Sequence, residues 1–271
     1  MAHLSDYQVC QLGEAHRPQL LSFLRQDPAN NIFLIGNVAA FGVRGRSIAF
    51  WGAFHQTNLA GVAMLHGENA CFYAPDHACL DQLLPKVSQA LNLSGELELM
   101  EGVVSRLPAH RLVWAANEFF CRLEAGNFQP CDARGVRPAI AADLSLLTDL
   151  YAQGDASSRL SRGQVSEQIE RQLASSRYHI LVSGGEIVCA AAAVAETEDT
   201  AMIVSVLTAP AARNHGHASA VVSSLCADLL ARGKTPHLFY REENEAAGRV
   251  YTRLGFGPIG RWKLARLSPI D

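Results

Sequence analysis

The chain predicts an α/β protein with a mixed sheet covered by helices on both faces, in two parts that divide near residue 130. Three observations carry this. Between residues 136 and 267, β-rich apolar runs and helix-period segments follow one another as β-α-α-β-β-β-α-β-α-β. A fainter copy of that order runs from Val9 to Met100. With 271 residues, 49% hydrophobic and 18% charged, the chain can fill the cores of two ordinary domains and is not a disordered sequence.

The second part opens on the extended run Val136-Arg137-Pro138-Ala139, and Asp143 is placed to cap a helix from Leu144 to Tyr151. A polar loop from Gly154 to Gly163 leads to a helix over about Val165 to Ala174. Tyr178 to Val182 and Ile187 to Ala195 read as strands of a hairpin joined by Ser183-Gly184-Gly185-Glu186. After a turn at Glu196 to Asp199, Thr200 to Thr208 is apolar on both faces, as a central strand should be. Beyond Gly216, Ala218, Val221, Val222, Leu225 and Leu229 recur at helical spacing. His237 to Tyr240 is a short strand, Asn244 to Leu254 a helix ended by Gly255, and Gly257 to Leu267 a closing strand.

In the first part, Val9 to Leu12 and Gln19 to Leu24 give a strand and a helix, and Asn31 to Phe41 a second helix. Ser47 to Phe54, Leu59 to Leu65 and Cys71 to Tyr73 form a meander, followed by a helix from about Asp81 to Leu91 and a strand at Leu97 to Met100. The break between the parts gathers Gly126, Asn127, Pro130, Asp132 and Gly135, which sets the expected domains at 1–130 and 131–271.

The 23 Lys and Arg against 26 Asp and Glu leave a net charge of −3, without the basic excess of a nucleic-acid footprint. Seven cysteines, an odd number without a C-x-x-C pair, read as reduced and mostly buried thiols of a cytoplasmic protein. The start, Met1 to Asp6, lacks a basic segment followed by an apolar one, and the longest apolar runs, such as Cys189 to Ala195, are too short to span a bilayer. The expectation is a cytoplasmic protein with neither nucleic-acid nor membrane partners.

The chemistry concentrates between Val206 and Phe256. There Val206-Leu207-Thr208 runs through Ala209-Pro210-Ala211-Ala212 into Arg213-Asn214-His215-Gly216-His217-Ala218-Ser219 and a helix. The first turn of a helix carries unpaired N–H groups and a positive dipole end, so a small-residue turn at that point is a phosphate cradle. Asn244 and Tyr251, seven residues apart, share one face of a later helix and put a phenol beside it.

This segment resembles the GNAT acetyltransferase family. Arg213-x-x-Gly216-x-Ala218, the lead-in Val206-x-Thr208-x-Pro210, and Asn244-x6-Tyr251 with Gly255-Phe256 match its motifs over about residues 134 to 267. The first half resembles, by element order alone, a degenerate GNAT-like domain; its turn at Ala74 to Ala78 has neither glycine nor arginine. The resemblance implies two tandem domains with mostly antiparallel sheets, and transfer of an acetyl group from acetyl-CoA to a primary amine by direct attack, with no metal. It places the coenzyme on Val206, Leu207, Thr208, Arg213, Asn214, His215, Gly216, His217, Ala218, Ser219 and Asn244, and makes Tyr251 both a coenzyme contact and the acid that protonates the departing thiolate. A phenol of ordinary pKa, about 10, is protonated at neutral pH. The amine must first lose a proton, and Glu196 and Glu198, before the central strand, are the candidate bases, with Glu242 and Glu243 behind them.

Each of these residues also has an ordinary role. Arg213 alone is a surface arginine, Tyr251 a packing residue, and Asn244 a helix cap. His215 and His217 lack a third ligand for zinc, and Cys189 and Cys226 sit in apolar runs as core thiols. The acceptor stays open between a small-molecule amine and a protein amine. The first half is expected to shape the acceptor cleft or to supply a homodimer contact. Two rivals stand beside the acetyltransferase: a non-catalytic acyl-CoA-binding regulatory module, and an acyltransferase for longer acyl-CoAs in the manner of glycine N-acyltransferases. A dinucleotide oxidoreductase is disfavoured because no G-x-G-x-x-G follows a strand.

Overall fold

The structure is a computed structural model describing residues 7–153, 161–175 and 177–269. The chain start and most of the expected loop at Gly154 to Gly163 lie outside them. In chain order the elements are β1 (Tyr7–Gln11), α1 (Arg17–Leu24), α2 (Ile32–Phe41), β2 (Ile48–His55), β3 (Asn58–His66), β4 (Asn69–Tyr73), α3 (Leu80–Leu83), β5 (Asn92–Glu96), α4 (Leu97–Ser105) and β6 (Leu112–Arg122). The order then repeats as β7 (Val136–Pro138), α5 (Leu144–Ala152), α6 (Arg162–Ser175), β8 (Arg177–Ser183), β9 (Glu186–Val194), β10 (Thr200–Thr208), α7 (His217–Ala231), β11 (Thr235–Arg241), α8 (Glu245–Leu254) and β12 (Gly257–Leu267). The chain is therefore a tandem repeat of one β-α-α-β-β-β-α-β-α-β plan. No helix among the described residues is long and apolar enough to cross a membrane.

The chain divides into two compact units, residues 1–119 with 260–271, and residues 120–259. In the first, β1 to β4 form an antiparallel meander, β4 runs parallel to β5, and β12 pairs antiparallel with β5 from Trp262↔Glu96 to Arg266↔Asn92. The closing strand expected for the second part thus completes the sheet of the first. Its Ala265 and Leu267 enter a core with Phe72, Leu83, Leu93 and Met100, while Leu20, Leu24, Val38, Phe50 and Met64 fill the other core of this unit. Two expectations here are corrected. Leu97 to Met100 is helix and not strand, because the Glu96 carboxylate caps it, accepting from the amides of Glu98 and Leu99 at 3.1 and 2.9 Å. The helix expected over Asp81 to Leu91 is only α3 and a 3-10 turn (Leu84–Val87), interrupted at Pro85, which has no N–H to give.

In the second unit β7, β8, β9 and β10 are antiparallel neighbours in succession, and β10 runs parallel to β11. The end of β6 lies beside β11: Phe120 stacks on Phe239 at 4.5 Å, and the Leu123 amide donates to the Pro236 carbonyl at 2.9 Å. The β8–β9 turn has Gly184 and Gly185 at φ +62° and +84°, the two left-handed positions of a type I′ hairpin. Strand alternation sends Tyr178 and Ile180 into a core with Leu147, Leu150 and Ile169 of α5 and α6. His179 between them meets Ser224 of α7 at 2.9 Å, so helices cover both faces. Asp143 does not cap through its carboxylate as expected. It accepts from both Arg137 Nη atoms at 2.7 Å and from the Ile140 amide at 2.8 Å, and these donors hold it below the usual carboxylate range.

Candidate functional site

The second unit opens a cleft where β10 and β11 part. Their parallel register runs from Thr200↔Thr235 to Ile203↔Leu238 and stops there. On its other side β10 stays paired with β9, but three steps from Val204 to Leu207 match only two from Ala192 to Ala190, which is a β-bulge. Ser205 takes the strain at φ +55°, a left-handed conformation costly for a residue with a Cβ. The Tyr151 phenol of α5 donates to the Ser205 carbonyl at 2.5 Å, and burial pushes that phenol well above its ordinary pKa. Val206, Leu207 and Thr208 follow the bulge, with the β11 side of the strand unpaired.

Past Thr208 a 3-10 turn (Pro210–Ala212) leads into two left-handed residues, Asn214 at φ +66° and Gly216 at φ +79°. Asparagine and glycine are the residues that tolerate this conformation best, and the resulting concave backbone is an anion nest at the start of α7. Among the described residues, the amides from Asn214 to Ser219 meet no acceptor within the chain. A Cβ at Gly216 would touch nothing within 4 Å, so the space beside it is open to a ligand. Arg213 Nε reaches the Thr208 carbonyl at 3.4 Å and is otherwise exposed.

The opposite wall is α8. Asn244 caps it, its Oδ1 accepting from the Ala247 amide at 3.1 Å, which leaves Nδ2 for a ligand. Tyr251, on the same face, is 6% exposed, with its ring 5.6 Å from Tyr240 and 5.9 Å from Phe256. Gly255 ends the helix at φ +100°, where a Cβ would stand 1.9 Å from the Asn127 carbonyl oxygen.

These walls bound a cleft of about 600 Å³. Val206, Leu207, Thr208, Arg213, Asn214, Gly216, His217, Ala218, Ser219, Asn244 and Tyr251 all line it. His215 does not: its Nδ1 donates to the Arg213 carbonyl at 2.7 Å and its ring stacks on His217. Glu196 and Glu198 lie at the other end of β10, beyond Thr200, which is about 20 Å of strand from Val206. Glu196 is held by Arg232 at 2.7 Å and Arg177 at 3.4 Å. The Glu198 carbonyl accepts from Lys234 at 3.4 Å. Glu242 and Glu243 do not line the cleft either. Sequence reasoning missed Tyr151, and also Arg249 and Arg253 on the rim. Their i, i+4 spacing around Tyr251 was the available signal. Arg249 pairs with Glu245 at 3.3 Å, but both side chains are exposed and the pair holds weakly. Among the described residues no cluster of three metal-ligating side chains occurs. Cys189 and Cys226 are buried, and burial raises both thiols, Cys189 to about 11.

Comparison with known proteins adds to this geometry. Residues 164–266 match the family model described as FR47-like protein. No curated protein matches the chain in sequence. A GCN5-related N-acetyltransferase from Sphaerobacter thermophilus is 14% identical with TM-score 0.66, covering 98% of each chain. A tandem GNAT protein from the clavulanic acid biosynthesis pathway is 13% identical with TM-score 0.61, over 98% of this chain and 100% of that one. A putative GNAT acetyltransferase from Novosphingobium aromaticivorans is 16% identical with TM-score 0.61, over 90% of this chain and 99% of that one. Residues 164–266 are thus similar to the FR47-like model, and the chain as a whole has the fold of the GNAT acetyltransferase structures, in tandem.

Proposed function

We propose that the second unit transfers an acetyl group from acetyl-CoA to a primary amine. The observation that carries this is the convergence, in one cleft, of an unpaired strand edge, a helix start with free amides, and a buried phenol. The residues fit the coenzyme. The amides of Gly216 to Ser219 suit phosphate oxygens, Arg213 and Arg249 supply charge, and the edge at Val206 to Thr208 can pair with an amide-bearing arm as an added strand would. Acetyl-CoA brings the activated acyl group as a thioester. Tyr251 holds a proton for the departing sulfur, and an amide of β10 stabilises charge on the acyl oxygen.

This reading does not use Glu196 or Glu198 as the base: both sit at the far end of β10, and Glu196 pairs with two arginines. Among the described residues no carboxylate lines the cleft, and on this reading water takes the proton from the amine. That same absence favours a second reading, an acyl-CoA-binding module without turnover.

Coenzyme A release measured over a panel of amines separates the two readings. The transferase reading expects release that depends on an amine. Binding of acetyl-CoA with no release across the panel supports the module. Titration against longer acyl-CoAs sets the chain-length preference. For the transferase, Tyr251→Phe should lower turnover by about 100-fold while leaving acetyl-CoA affinity nearly unchanged, since the ring stays and the proton goes. Equal turnover in mutant and parent would assign that proton to another donor.

A further inference from the structure

The first unit holds a cleft of about 860 Å³ that acyl transfer leaves unused. Leu84, Leu107 and Pro108 give it apolar walls, and Asp81, Ser88, Arg106, His110, Arg111 and Ser268 its polar groups. Arg111 is the unusual member. It is 7% exposed, yet no carboxylate pairs with it among the described residues. Its Nε and Nη2 donate to the Ser268 carbonyl at 3.2 and 2.7 Å, Nη1 to the Ser88 carbonyl at 2.9 Å, and Nη2 to the Ala90 carbonyl at 3.4 Å.

Three neutral carbonyls therefore take four of its five N–H groups. Among the described residues nothing takes the second N–H of Nη1, and no counter-ion meets the charge. A guanidinium does not shed its proton in a protein, and a buried charge with no opposite partner is a costly arrangement. The neighbouring cation does not share this condition: Arg106 is paired with Asp81 at 2.9 Å. His110 stands exposed on the rim.

We propose that this cleft binds a small apolar carboxylate. The carboxylate would complete the charge of Arg111 and take its remaining N–H, and the hydrocarbon would lie on Leu84, Leu107 and Pro108. The volume falls in the range of small-ligand pockets, roughly 300–1,000 Å³. Because Arg111 also fastens Ser268, whose amide donates back to the Arg111 carbonyl at 2.8 Å, occupancy should brace the end of β12.

The test titrates the full chain calorimetrically with octanoate, 1-octanol and inorganic phosphate, and follows hydrogen exchange with and without octanoate. Octanoate should bind at least tenfold more tightly than octanol or phosphate, and should slow exchange at Leu267 and Ser268. Octanol binding equally well would leave only a greasy surface, and phosphate binding equally well only an anion spot. Either result, or no octanoate binding, overturns the proposal. Arg111 variants risk unfolding the strand end, so the decisive variant is His110→Asp, outside the carbonyl clamp. It should keep the parent's thermal midpoint and lose octanoate affinity at least tenfold. Undiminished binding would also overturn the proposal.

Discussion

At the scale of single residues, the polar groups of the second unit are sorted by which end of the sheet they occupy. His237 on β11 is 2% exposed, its Nδ1 donates to the Thr235 carbonyl at 3.1 Å, and burial lowers its pKa to about 4. The folded state therefore resists protonating it, while the unfolded chain takes up a proton near 6.5. Stability from this group is fully present above about pH 6.5 and drains away as pH falls toward 4, by up to about 3 kcal/mol. Denaturation midpoints across that window, for the parent and for His237→Phe, check it. The variant should show a flatter pH profile, and parallel profiles would assign the pH dependence elsewhere. The sequence revealed the residues whose backbone conformation dictates their identity, such as Gly216 and Gly255. Glu196 precedes β10 and the cradle follows it, but the pairing of that carboxylate with Arg232 and Arg177 is long-range and leaves no local pattern. Tyr151 was hidden for a related reason: its role depends on a bulge at Ser205 that no glycine or proline announces.

At the scale of elements, the second copy of the repeat was more legible than the first because its helices have clear starts and stops. In the first copy the turn after β4 leads to a helix of only four residues. Asp76 Oδ1 accepts from the Ala78 amide at 3.0 Å, so the chain's own carboxylate stands where the second copy leaves amides open. This is the physical content of a degenerate copy. Gly216 and Gly255, two of the left-handed glycines of the second copy, should respond differently to alanine. Gly216→Ala meets open space and bears only the conformational cost, roughly 1–2 kcal/mol. Gly255→Ala adds a clash with the Asn127 backbone and should exceed about 3 kcal/mol. Urea denaturation of both variants measures this, and equal losses would mean that the close approach at Gly255 relaxes without cost.

At the scale of the whole molecule, neither unit is closed by its own repeat: β12 serves the first sheet and the end of β6 the second. Nothing local in the sequence signals this, since an amphipathic strand suits either edge and long-range pairing leaves no short-range pattern. Ending the chain at Ile259 should strip Trp262, Ala265 and Leu267 from the first unit and destabilise it by at least about 3 kcal/mol. Hydrogen exchange should then show lost protection in β2 to β5 with β8 to β10 spared, and unchanged protection in β5 would refute the exchange of last strands.

The central claim, that the cleft between β10 and α8 holds an acyl-CoA by its phosphates, has a direct measurement. It is calorimetric titration of acetyl-CoA into the parent and into Ala218→Asp, which sets a carboxylate at the mouth of the open amides without touching the core. The account predicts saturable binding to the parent and at least a tenfold loss in the variant at an unchanged thermal midpoint. Equal affinity in the two proteins, or no binding to the parent, would contradict it.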